Sequence, residues 1–131
     1  MNAVEQIRSF HDDMTAWRRD IHAHPELGFE ETRTAGIVAA KLREFGFDEV
    51  HEGVGKTGVV GVLRSGSSRR SIGLRADMDA LPMAEDNTFA HRSAFTGKMH
   101  ACGHDGHTAM LLGAARYLAA TRQFDGTVNF I

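Results

Sequence analysis

At 131 residues the chain can build one domain with a real core, but not two. Its 42% apolar and 24% charged residues are ordinary for a soluble globular protein, and a net charge of −2 lacks the basic excess that polyanion binding requires. No apolar run approaches a membrane span, and residues 1–14 show no basic stretch followed by an apolar run, so neither membrane nor secretory leader is expected.

Val4, Ile7, Phe10, Met14, Trp17 and Ile21 recur in steps of three and four, which predicts one amphipathic helix over residues 4–21. His24-Pro25 ends it, because proline disfavours helical geometry at the residue before it. A second helix is expected from near Glu30 through Val38, Leu42 and Phe45 to Gly46. Three strand-like runs follow, a weak one at residues 49–52 and strong ones at 58–63 and 72–78. The polar segment between the strong runs, residues 65–71, predicts that they form an antiparallel pair. Residues 80–105 have no clear periodicity, and an aperiodic stretch of that length within a domain is usually functional or disordered. His107, Leu111, Ala114, Ala115 and Leu118 then mark a third helix, and residues 126–131 read as a strand. The expected class is α/β with a mixed sheet, in the order α-α-β-β-β-loop-α-β, the last helix crossing over between parallel strands. Ending on Phe130-Ile131 inside an apolar strand pattern, the chain is expected to be truncated.

Eight histidines and fourteen glycines are more than a bland domain of this size needs. The densest group is Met99-His100-Ala101-Cys102-Gly103-His104-Asp105-Gly106-His107, which holds three histidines, an aspartate and the only cysteine. Having one cysteine rules out an intrachain disulfide and fits a reducing cytoplasm. Cys102 and His104 are two apart, so an extended backbone points both side chains the same way. A thiolate beside an imidazole suits zinc, and with less preference manganese, nickel or cobalt. The bland alternative makes Cys102 a small hydrophobe and leaves His100 and His107 as polar residues flanking a helix.

A second feature is Arg75-Ala76-Asp77-Met78-Asp79-Ala80-Leu81-Pro82 at the end of the strongest strand. Alternation puts Arg75, Asp77 and Asp79 on one face, at the carboxyl end where open α/β sheets place ligands. Such carboxylates can bind a cation or orient a ligating imidazole, but the same residues would also suit a solvated strand end and a turn. In the third segment, residues 22–31, His22 and His24 read more readily as the close of a helix than as ligands. Glu30 and Glu31 there complement the positive end of the next helix.

Together these segments resemble the N-terminal part of the amidohydrolases that include hippurate hydrolases, plant auxin-conjugate hydrolases and bacterial N-acyl-amino-acid amidohydrolases. The resemblance runs over nearly the whole chain and rests on residues 19–27, 74–82 and above all 99–107. It implies a two-metal hydrolase with a Zn-peptidase-like catalytic domain, acting on an N-acyl or N-aroyl amino acid, in a cytoplasmic homodimer or homotetramer. By the same resemblance Cys102 and His104 are metal ligands, and Asp79 steers the metal centre. Asp77 stands where related metallopeptidases carry a ligating histidine, which leaves its role open. Asp77, His100, Asp105 and His107 are candidates for supporting the ligands. The chain would be the N-terminal portion of the catalytic domain, without the inserted lid or dimerisation domain. It would also lack the Glu-Glu pair expected just after the strand beginning at Gly126, and the two later histidines. Two alternatives stand beside this reading: a hydrolase using Cys102 as nucleophile, and a non-catalytic metal-binding or interaction fragment.

Overall fold

The computed structural model describes residues 1–131. Helices α1 (Ala3–Arg8), α2 (His11–Ala23) and α3 (Thr32–Glu44) lead into strands β1 (Glu49–Val54), β2 (Gly58–Ser65) and β3 (Ser71–Leu74). Helix α4 (His104–Thr121) and strand β4 (Gly126–Phe130) complete the chain. This is the expected mixed α/β order, with one difference at the start. The helix predicted over residues 4–21 is two helices, broken at Ser9 and Phe10. The Ser9 hydroxyl donates to the Gln6 carbonyl, a local bond that competes with the helical ladder. Phe10 leaves helical geometry (φ −120°), and its ring lies 4.3 Å under the Arg116 guanidinium of α4.

The sheet order is β1-β2-β4-β3. β1 and β4 both pair antiparallel with β2, whereas β3 pairs parallel with β4, so α4 is the crossover helix that was anticipated. The predicted antiparallel pairing of residues 58–63 with 72–78 does not form, because β4 lies between them. Proximity in sequence favoured the hairpin. The strand that begins only at Gly126, with Val128 and Phe130 to bury, takes the place beside β2 instead. The third run is also shorter than expected. Its ladder ends at Leu74, apart from a bond from Ala76 N–H to the Ile131 carbonyl (3.0 Å).

One face of the sheet carries the core. Val59, Val128 and Phe130 meet Ala35, Ala39 and Leu42 of α3 and Leu112 and Ala115 of α4. The alanines keep the helices close to the strands, and Gly61 does the same from the sheet. A Cβ at Gly61 would lie 2.8 Å from both Leu42 Cδ1 and Phe47 Cδ2. Helix α3 begins under a cap supplied from outside itself. Glu26 accepts from the Arg33 and Thr34 amides (2.8 and 2.7 Å) and from the Thr34 hydroxyl (2.7 Å). Glu31 is the residue before the helix; it accepts from the Phe29 amide and the Thr57 hydroxyl. No helix is long and apolar enough to cross a membrane.

The aperiodic stretch between β3 and α4 is tied down at several points. Leu81 and Met99 exchange two backbone bonds (2.9 and 3.0 Å), closing residues 81–99 into a loop with adjacent ends. Ala80 N–H donates to the Glu26 carbonyl (2.8 Å) and Ala94 N–H to that of Ala23 (2.9 Å). Both acceptors lie in the segment that follows or ends α2. Closing the loop brings the end of β3 beside the start of α4.

Candidate metal centre

Asp77 and Asp79 emerge past the carboxyl end of β3, where a parallel pair opens a crevice for ligands. Opposite them α4 starts at Gly103, whose left-handed backbone (φ 81°) would strain any residue with a Cβ. That turn swings His104 and His107 into the first turn of α4, three apart and therefore neighbours on one face. Their rings stack at 5.5 Å between centroids. The Thr108 hydroxyl donates to the Asp77 carbonyl (2.9 Å), locking the helix start to the strand end.

The decisive geometry is at His104. Its Nδ1–H donates to the Asp79 carboxylate and to the Asp79 carbonyl, each at 2.9 Å. This fixes the ring and leaves the lone pair on Nε2, which lies 3.4 Å from Asp77 Oδ2. Two ligands each about 2.1 Å from a tetrahedral ion stand about 3.4 Å apart. The carboxylate–imidazole pair Asp79–His104 is the arrangement that orients a ligating histidine in metal sites. His107 donates from Nδ1 to Asp77 Oδ1 (2.7 Å). Burial pushes the Asp77 carboxyl up, but the bond from His107 and the charge of His104 outweigh it and hold it below the ordinary carboxylate range. Asp77, His104 and His107 together offer ligand atoms within 4.8 Å of one another. This donor set, one anionic oxygen and two imidazoles, fits a borderline divalent cation.

The remaining candidates fall in different places. Cys102 is exposed and stands outside that three-residue group, two residues before His104. Arg75 is largely exposed and pairs loosely with Asp77 at 3.6 Å. Asp105 is buried and faces away from the donors, toward His22 and Arg18. His100 is also buried, and neither of its ring nitrogens has a hydrogen-bond partner. Burial depresses its pKa, although the charge of Asp105 opposes this. His24 ends α2, its Nδ1–H bonded to the Asp20 carbonyl (2.7 Å), which agrees with the structural reading.

Sequence reasoning missed Glu85 and undervalued His22. His22 donates Nδ1–H to Asp105 (2.8 Å) and Nε2–H to Glu85 (3.0 and 3.1 Å). Glu85 also accepts from the Ser93 amide (2.8 Å) and Asn87 (2.9 Å). Burial alone would raise its pKa, yet these bonds, led by His22, lower it from 4.5 to about 2. A carboxyl depressed in the folded state stabilises the fold above its unfolded pKa and loses that contribution as pH falls through the folded value. Glu85 should therefore contribute on the order of 3 kcal/mol near neutrality, lost between about pH 4.5 and pH 2. Urea unfolding at pH 6 and pH 3 checks this: Glu85→Gln should lose less stability on acidification than the wild type does.

Residues 73–131, which contain Asp77, Asp79, Cys102, His104 and His107, match the model of peptidase family M20/M25/M40. Over 129 residues the chain is 53% identical to a hippurate hydrolase of Campylobacter jejuni, and 48% identical to an N-acyl-L-amino acid amidohydrolase of Geobacillus stearothermophilus. Residues 73–131 are thus similar to this peptidase family. Each match covers 98% of the chain but only 33% and 34% of those relatives, so the chain spans about a third of their length. The fold agrees. A solved structure of the Bacillus subtilis YXEP protein, described as a dinuclear metal-binding peptidase of family M20, superposes with a TM-score of 0.88 at 39% identity. That match covers 94% of this chain and 34% of the other.

Proposed function

We propose that the chain is the N-terminal portion of the catalytic domain of a metal-dependent amidohydrolase that cleaves the amide bond of N-acyl or N-aroyl amino acids. One observation carries the metal reading: His104, with Nδ1 held by Asp79, presents Nε2 3.4 Å from the Asp77 carboxylate. The names of the family relatives support the substrate class.

In this reading His104 and Asp77 are ligands, His107 orients Asp77, and Cys102 joins as a thiolate from the exposed turn before Gly103. A second ion, as in the dinuclear relative, needs donors beyond these. When bound, a divalent cation polarises the amide carbonyl and acidifies a water near neutrality. Asp79 keeps His104 in the ligating tautomer, and Asp77 remains anionic across the neutral range. Amides resist hydrolysis because the amine leaves badly unless protonated, so a carboxylate must take the water's proton and return it to nitrogen. We assign that role to a glutamate outside residues 1–131.

Chelation tests the proposal. The intact protein, assayed on hippurate and acetyl-amino acids, should lose activity with a strong chelator and regain it with zinc or manganese. Activity indifferent to chelation would contradict the metal reading. Asp79→Asn should lower turnover about ten- to a hundredfold, the scale for losing the partner of a ligating imidazole. Wild-type turnover in that variant would make Asp79 a turn residue only.

A further inference from the structure

We propose that His22, far from the donors in sequence, is a positioning residue for the metal centre, an inference that rests on the metal reading above. His22 lies in the last turn of α2 and is 4% exposed. Both of its ring nitrogens face carboxylates, Asp105 on one side and Glu85 on the other. Each ring nitrogen is thus within hydrogen-bond distance of one carboxylate, at 2.8 Å from Asp105 and 3.0 Å from Glu85. Arg18, whose side chain is 40% exposed, adds a cation at 3.3 Å from Asp105.

The two carboxylates belong to the elements that make the metal centre. Asp105 is the residue after His104, in the first turn of α4. Glu85 lies in the loop that connects Asp79 to His104. The backbone just beyond His22 holds the same elements: the Ala23 carbonyl takes Ala94 N–H, and the Glu26 carbonyl takes the amide of Ala80, the residue after Asp79. Residues 22–26 thus hold both partners of the 2.9 Å Asp79–His104 bond in register. Without His22, Asp105 would keep only Arg18, and Glu85 only the Ser93 amide and Asn87, so the loop or the start of α4 must shift to rehydrate a carboxylate left short of donors. Either shift separates Asp79 from His104.

A stabilising role without positioning would change only the melting temperature, so the test reads the centre itself. Intact protein labelled with ¹⁵N-histidine is compared, metal-free, as wild type, His22→Gln, Glu85→Gln and the double variant. Zinc affinity is measured by competition with a chelating dye, and kcat and KM after loading. In His22→Gln the His104 imidazole signals should lose the fixed Nδ1–H form. Zinc affinity should fall about ten- to a hundredfold, with kcat falling while KM stays within about threefold. Adding Glu85→Gln removes the unpaired carboxylate and should recover part of the affinity. If His22→Gln does not fold, Glu85→Gln, which keeps an acceptor of the same shape, should weaken zinc binding by severalfold. Unchanged His104 signals and zinc affinity in the folded variants would overturn the proposal. A wild type whose His104 is held by Asp79 but which binds no zinc would instead overturn the metal reading, leaving the coupling of His22 to His104 to be read from the imidazole signals.

Discussion

Replacing His104 with alanine in the intact protein is expected to abolish stoichiometric zinc or manganese binding and to lower amide hydrolysis by at least about a thousandfold. The magnitude follows from the chemistry. A metal that polarises the carbonyl and acidifies water supplies several kcal/mol of transition-state stabilisation, and about 4 kcal/mol is three decades in rate. The fold should survive the change. The His104 side chain hydrogen-bonds Asp79 and approaches Asp77 at 3.4 Å, and the Asp79 side chain is 39% exposed, so water can replace the lost donor. Metal analysis and single-turnover kinetics on the purified variant check both halves. A His104→Ala protein that keeps its metal and its rate would remove this imidazole from the centre.

The second large effect is expected at Cys102. Losing the outer partner of a ligand costs about ten- to a hundredfold, so losing a thiolate ligand should cost at least the upper end of that range in both metal affinity and turnover. Cys102→Ser should do little better than Cys102→Ala, because a hydroxyl is a harder and far less acidic ligand. The exposed position of Cys102 makes this a sharp test. Normal metal content with lost activity would favour the cysteine-nucleophile alternative, which chelation would leave active. Normal metal content with normal activity would make Cys102 a bystander and leave Asp77, His104 and His107 as the donor set.

What could be read from the sequence follows the range of the interactions. Helix α4 announced itself through its alanines and leucines and through Gly103 ahead of it, and its role as a crossover followed from the strand on each side. The rank of β4 in the sheet was not legible. Strand order is set by which apolar strand buries most, and Val128 and Phe130 decide that from the far end of the chain. The site shows the same division. Asp79 and His104 each stood out by local pattern, but their contact spans 25 residues and depends on the Leu81–Met99 closure, which no periodicity marks. From sequence His22 reads as the close of a helix, because its partners, Glu85 and Asp105, lie 63 and 83 residues away. A histidine flanked by apolar helix positions could have signalled burial, and a buried histidine requires partners.

The central claim is that Asp77 and His104 ligate a divalent cation, with Asp79 behind the imidazole. Crystals of the intact protein grown with zinc, with anomalous data collected at the zinc edge, test it most directly. A peak about 2.0–2.2 Å from both His104 Nε2 and an Asp77 carboxylate oxygen, with Asp79 still on Nδ1, is the expected result. Zinc bound elsewhere, with His104 Nε2 and Asp77 turned to other partners, would contradict the account.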